Sequence, residues 1–366
     1  MGKNITLKQL NKSSTYDELY PAGAVDYTML TETTSAAYGV ENGSVKDALT
    51  GLYQYIHSSN VVTIKVVDIS NNPLPNITAN GIIGSPQSGV DGVIKGVADS
   101  NSVILVSPYV DTIKTKTVDV SKYKNTTRTL IVTMDSVDDG AIVRYTSSQN
   151  VRFSNRVANI DVCCVGGGGG GGVTVTPESG SYGYASGGGG GAINNSYGIS
   201  VIYNQPYSIV IASGAAAYSG DQEHQTRGGT TTAFGISSQG GYSAYHLDSP
   251  NYEKKAGLAA MAGCGDGAQY GNGNSNNTIS EFNDGVTFYS GGGASGTFRG
   301  GQSVFTGGSP NGANGAHAEY MNVTNASQAG IGGGGGGGSS YYAAGREYKG
   351  NASAGGSGLV SIRFHF

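Results

Sequence analysis

The chain has 366 residues, a formal net charge of −4 and only 13% charged residues. Lysine and arginine concentrate before residue 160, so the chain has no basic stripe for nucleic acid, and its charge is too sparse for charge-driven disorder. Its 63 glycines and 24 tyrosines, against 8 phenylalanines and no tryptophan, set it apart from an ordinary globular domain.

The length allows about two to three domains. The opening Met1-Gly2-Lys3-Asn4-Ile5-Thr6-Leu7-Lys8 has no apolar core of a signal sequence, and no apolar run reaches membrane-spanning length, so membrane insertion is not expected. Residues 1–59 read as an attachment arm with a short helix. Leu19-Tyr20-Pro21 and Met29-Leu30-Thr31 indicate extended chain broken by turns, a type of segment that orders when laid on a partner. Ser44 is a helix N-cap with Asp47 at N3, and Val45, Leu49, Leu52 and Ile56 recur at coiled-coil spacing. A helix of about three turns needs packing. Either copies of itself supply it, giving a homo-oligomer expected to be a trimer, or the following domain does.

Residues 60–136 change character. Strands are expected over 61–67, 77–80, 103–109 and 130–134, with turns at Asn71-Asn72-Pro73-Leu74-Pro75 and a hairpin-like break over 90–94. Short strands without a helical pattern predict a β-sandwich of about seven strands. The order of strand, Asn-Pro-Leu-Pro-Asn turn, strand and Asp-Gly turn resembles the carboxypeptidase-regulatory or transthyretin-like sandwich, a resemblance covering about 75 residues. It implies a spacer, with Asp91 as a turn residue rather than a metal ligand.

Residues 137–366 form the glycine-rich domain. The β-branched run Val157-Ala158-Asn159-Ile160-Asp161-Val162-Cys163-Cys164-Val165 leads straight into Gly166 to Gly172. Two more runs follow at 187–191 and 332–338, and Gly358-Leu359-Val360-Ser361-Ile362-Arg363-Phe364-His365-Phe366 reads as a closing strand. Seven glycines bury no side chains and lose the most backbone entropy on ordering. They order by packing sideways as polyproline-II-type helices, with three residues per turn and outward-pointing amides and carbonyls. Without Cβ atoms, neighbouring helices approach closely enough to exchange N–H···O bonds. The expected fold is therefore mainly β: an arm and short helix, a β-sandwich module, and a C-terminal domain of strands with packed polyglycine helices. Cys163, Cys164 and Cys264 are too few for a disulfide framework. Small buried hydrophobes are the expected role, with pairing of Cys264 to either neighbour left open.

The strand-to-glycine junction, Tyr207-Ser208-Ile209-Val210-Ile211-Ala212-Ser213-Gly214, Gly228-Gly229-Thr230-Thr231-Thr232-Ala233-Phe234-Gly235 and Gly355-Gly356-Ser357-Gly358-Leu359-Val360-Ser361-Ile362-Arg363 resemble the C-terminal domains of bacteriophage tail-fibre and receptor-binding proteins. The glycine runs alone resemble the tip adhesins of T-even phages, and the Tyr-Asp-Glu-Leu-Tyr-Pro segment is similar to baseplate-attaching fibre segments. Cys163-Cys164 and Ala215-Ala216-Ala217 depart from the glycine and aliphatic pattern and leave the bundle register open. The resemblance implies a virion component that binds a bacterial surface receptor, saccharide or protein, and other tail or baseplate proteins through its N-terminal arm.

Nothing in the sequence assembles a catalytic constellation. His57, His224, His246, His317 and His365 show no paired metal spacing, and no Gly-Lys-Ser/Thr follows a glycine run. No cofactor or metal is expected. A purely structural fibre component and a depolymerising tailspike are the alternatives, although the regular apolar rungs of a β-helical tailspike are missing. Recognition is expected on connectors carried by the rigid scaffold. The candidate contacts are Tyr242, Tyr245, His246 and Tyr252; Tyr270, Phe282 and Tyr289; and Tyr341, Tyr342 and Tyr348. Tyrosine supplies rigid contact area with a polar tip, and packing over the bundle is the competing role for each ring.

Overall fold

The computed structural model describes residues 60–173, 182–218, 226–246, 254–255, 257, 259–261, 264–269, 271–297, 304–319 and 322–366. The arm and the heptad-spaced helix of 1–59 lie outside the described residues. The chain divides into two compact units, Met1–Ser136 and Val137–Phe366.

In the first unit, β1 (Val61–Val67), β2 (Thr78–Asn80), β3 (Val93–Val97), β4 (Ser102–Val106), β5 (Thr115–Asp119) and β6 (Thr129–Thr133) form two sheets, ordered β3-β1-β6 and β2-β4-β5. β1 pairs antiparallel with β3 and parallel with β6. Val62, Ile64 and Val66 of β1 alternate into a core with Leu74, Ile77, Val103, Leu105, Val132 and Met134. Period-two alternation thus builds the expected sandwich, with six strands rather than about seven. The third strand starts at Val93, because Gly89 to Gly92 is a turn in which Asp91 accepts the Val93 amide at 3.0 Å. β5 was not expected: its Thr-Lys-Thr-Val-Asp sequence is an edge strand with alternate residues exposed, and it lacks a hydrophobic signature.

The second unit is mainly β. Its base strands are β7 (Ile142–Tyr145), β8 (Gln149–Val151) and β9 (Asn159–Val165). Then come β10 (Tyr182–Tyr184), β11 (Ile193–Ser200), β12 (Tyr207–Val210), β13 (Thr231–Ala233), β14 (Ile236–Ser238), β15 (Tyr245–His246) and β16 (Lys254–Lys255). The chain closes with β17 (His317–Glu319), β18 (Asn322–Thr324), β19 (Ser339–Ala343), β20 (Arg346–Gly350) and β21 (Leu359–His365). Two antiparallel sheets, β11-β9-β21-β7 and β14-β13-β12-β8, pack face to face. Ile160, Val162 and Cys164 of β9 pair with Phe364, Ile362 and Val360 of β21 on the inner face. There Phe153 contacts Phe364, Phe234 and Tyr207 at 5.7 to 6.2 Å between ring centroids.

Glycine runs leave this sandwich as laterally bonded helices. Gly166, Gly169 and Gly172 donate to Ala192, Gly189 and Ser186 at 2.8, 2.8 and 2.9 Å. Gly168 and Gly171 donate to Gly356 and Ser353, while Gly167 donates to Gly229 and Gly170 to the Ser243 hydroxyl. Partners recur every third residue, the period of a polyproline-II helix. In the same way Gly335 and Gly338 donate to Gly169 and Gly172, and Gly334 and Gly337 to Gly291 and Ala294. The three long glycine runs are therefore enclosed, each buried along its length, as is 290–297, where Ser290, Ala294, Ser295 and Thr297 are small enough to fit. A Cβ on Gly166 or Gly169 would strike the Gln239 or Tyr242 carbonyl, on Gly167 or Gly170 that of Ser213 or Ala216, and on Gly168 or Gly171 that of Gly333 or Gly336. The alanines keep the register: Ala215 is buried and donates to Gly168, whereas Ala216 faces solvent.

All three cysteines are free and buried. Cys164 faces the opposed sheet, where Ser238 donates to its carbonyl, and Cys163 packs on the other face with Phe282 and Cys264. Adjacent cysteines are both buried because β9 is covered on both faces, and burial pushes all three thiols up, Cys264 to about 11.

Gly335→Ala tests the bundle, since its Cβ would meet the Ser353 carbonyl and the Gly171 amide. Chemical unfolding of the full chain should show a loss well above the roughly 1 kcal/mol of an average point change. Ala354→Ser, at an exposed bundle position, should stay within about 0.5 kcal/mol. Equal effects from the two substitutions would mean that the run is not enclosed.

Candidate functional site

Hydrogen-bond register fixes which connectors share an end of the bundle. The chain climbs from β9 along 166–172 and descends along 185–192 into β11, and Gly172 is level with Ser186. It then climbs along 212–218, 239–244, 264–268, 290–297, 311–318 and 332–338. The matching descents are 226–229, 257–260, 271–276, 304–310, 322–330 and 351–358. Tyr218 donates to Gly171, Gly338 to Gly172 and Thr297 to Ala316, so the outward ends lie at one level. Connectors following an outward run are distal; those following a return run sit beside the sandwich.

This parity separates the candidate contacts. Tyr341, Tyr342 and Tyr348 are distal, in the sheet β10-β19-β20, and each is half-buried. The backbone of Tyr245 and His246 is also distal, pairing as β15 with Lys255 and Lys254 of β16. Tyr252 and Tyr270 lie outside the described residues. Tyr242 sits lower, on the bundle flank, where its carbonyl accepts from Gly189 and the Arg227 guanidinium lies 3.9 Å from its ring.

Phe282 and Tyr289 are elsewhere altogether. They belong to a return connector at the base and are only 6% and 7% exposed, in a core with Cys163, Val165, Ile193 and Leu359. Both rings cover the outer face of β9 and β21 and present no contact surface. Phe282 takes a left-handed conformation, φ 51°, which is strained for an aromatic residue. Three base contacts hold it: Asn195 accepts the Phe282 amide at 3.1 Å, Arg363 lies 4.6 Å over the ring, and fully buried Glu281 pairs with Arg144. Glu281 raises the Arg144 pKa further, chiefly through this bond.

Asp161 anchors the neighbouring bulge. Its carboxylate accepts Arg363 at 2.9 and 2.6 Å, His365 at 2.9 Å and the Gly198 amide at 2.9 Å. Burial pushes this carboxyl up, but the bonds from His365, Gly198 and Arg363 together outweigh burial and hold its pKa below the ordinary value.

Sequence reasoning missed three distal features. β10 joins the β19–β20 hairpin, β17 and β18 form a second hairpin, and His317 links two outward ends. The buried Thr297 hydroxyl lies 2.7 Å from His317 Nδ1, and His317 Nε2 lies 3.5 Å from Glu319. The order of hydroxyl, imidazole and carboxylate is that of a nucleophile with its base, yet Thr297 is 0% exposed, so the group acts as a tie between helices. The signal available in the sequence was parity: connectors after outward glycine runs alternate with connectors after return runs. Among the described residues, no cluster of His, Cys, Asp or Glu is arranged to hold a metal ion.

Two substitutions test the base. Arg144→Ala leaves Glu281 buried and unpaired, and should cost about 3–5 kcal/mol in chemical unfolding; a cost within about 0.5 kcal/mol would show the pair to be dispensable. Asp161→Asn is read against pH. With its pKa lowered on folding, Asp161 contributes stability that is present above the unfolded value of about 3.9 and lost as pH falls through the folded one. The destabilisation by Asp161→Asn should therefore shrink across that acidic range; a pH-independent difference would exclude the linkage.

Among comparisons with known proteins, residues 144–365 match the glycine-rich domain family. No curated protein matches the chain. The matched span is well over half of the sequence and runs from β7 to β21, the strands that open and close the second unit. The chain belongs to the glycine-rich domain family.

Proposed function

We propose that the chain is a bacteriophage tail-fibre or receptor-binding protein, a virion component that attaches to the bacterial surface through the distal end of its glycine bundle. The observation that carries this reading is the one-sided arrangement of connectors. Enclosed helices contain almost no side chains, the outer rows carry mainly small ones, and one end is occupied by the sandwich, so the long connectors at the other end hold the free chemical diversity. Loops on a rigid scaffold are the usual seat of recognition. The resemblance of the strand-to-glycine junctions to phage fibre domains supplies the biological setting. In this reading residues 1–59 join other tail or baseplate proteins and 60–136 act as a spacer. Self-association through Val45, Leu49, Leu52 and Ile56 makes the particle a homotrimer.

Full-length protein incubated with a panel of bacterial strains should adsorb to some of them and compete with phage for adsorption. Adsorption to none would leave a structural fibre component as the better reading. Release of reducing sugar from envelope polysaccharide would instead favour a depolymerase. Light scattering of the full chain at micromolar concentration should give a trimeric mass, and a monomer would remove the self-association step.

A further inference from the structure

We infer that the distal sheet β10-β19-β20 is a saccharide-binding platform; this deepens the attachment function proposed above and rests on it. The register places Tyr341 opposite Tyr348 on neighbouring strands, with the backbone of β10 pairing alongside. The Tyr341 and Tyr348 rings stack with centroids 6.1 Å apart and an interplanar angle of 27°. Strand spacing of about 4.8 Å makes the pair a two-ring aromatic strip rather than one isolated ring. Ala344 and Gly345, both left-handed at φ 52° and 74°, close β19 and β20 by a two-residue turn that matches strand twist, so the strip sits on a stiff hairpin.

The residues beside the strip are polar. Arg346, Glu347 and Lys349 are exposed on β20, and strand alternation puts Arg346 on the face of Tyr341 and Tyr348. Arginine offers a planar fork of donors. A sugar ring has apolar C–H faces and a rim of hydroxyls, so a pair of rings beside a guanidinium fork suits both parts of it.

Among the described residues, Val323 at 40% is the exposed large hydrophobic residue of the distal end, whereas Ile142, Tyr197, Ile202, Val210 and Val286 are exposed at the base. The described part of the distal sheet therefore offers rings and a guanidinium rather than an aliphatic patch.

The test uses the full chain and strains to which it adsorbs. Cells are treated with periodate, which cleaves vicinal diols of sugars, or with proteinase K. Periodate should abolish adsorption and proteinase should spare it. Tyr341→Ala and Tyr348→Ala should each weaken binding about tenfold, while Tyr348→Phe, which keeps the ring, binds as the parent does. Should a truncated tyrosine variant unfold early, the exposed change Arg346→Ala replaces it and should weaken binding without moving Tm. Loss with proteinase and retention after periodate would overturn the saccharide assignment and leave attachment standing. Normal binding by the Arg346→Ala variant would remove this sheet as the platform. Adsorption of the parent protein to no strain would bring down both readings.

Discussion

The second unit depends on the absence of Cβ atoms along enclosed chains. In an ordinary core, side chains fill space and the backbone satisfies itself within helices or ladders. Here the backbone does both, because its amides and carbonyls point outward with period three and meet the next helix directly. The driving force differs accordingly. Fixing each residue costs about 1–2 kcal/mol of backbone entropy, and a net hydrogen bond returns roughly 0.5–1.5 kcal/mol. One run alone would gain too little to order, whereas a helix bonded on several sides shares partners with each neighbour. Order in the bundle is collective, and the sandwich of β9, β21 and their partners supplies the fixed ends from which it starts.

The same constraint explains where side chains reappear. On outer helices, exposed positions carry them: Asn351, Ala354 and Ser357 recur every third residue, as do Ser213 and Ala216. In the glycine-rich unit, exposed glycines such as Gly198, Gly235, Gly285 and Gly345 are instead left-handed turn residues. A side chain on each outward row prevents another glycine helix from docking there, much as charges blunt the edge of a β-sheet. Polyglycine packing is thereby confined to the interior.

Much of this was legible in the sequence, for identifiable reasons. β1, β9 and β21 stand out because β-branched runs border turns or glycines, and runs 166–172, 187–191 and 332–338 could order only by lateral packing. β5 was hidden because an edge strand of Thr and Lys has no apolar face. The base segment was misjudged for a subtler reason. Residues 276–289 share the Tyr, Asn and Asp composition of the distal connectors, and composition carries no information about which end of a helix they join. Only hydrogen-bond register reveals that Phe282 and Tyr289 follow a return run. The burial of Cys163 and Cys164 was expected, and that segment is what covers Cys163 on the second face of β9.

The two ends of the bundle consequently obey different physics. At the base, Glu281, Arg144, Asp161 and Arg363 are locked by charge-assisted bonds beside apolar rings, and a buried charge that loses its partner is costly. Substitution there is heavily constrained. At the distal end, Arg346, Glu347 and Lys349 are exposed on a hairpin whose turn geometry is set by Ala344 and Gly345, so side chains can change without disturbing a backbone bond. Between the ends lies a rod in which the all-glycine runs meet one another through backbone bonds. Chemical change on the exposed hairpin is therefore separated from the charge-locked base by a core whose contacts are made chiefly by backbone.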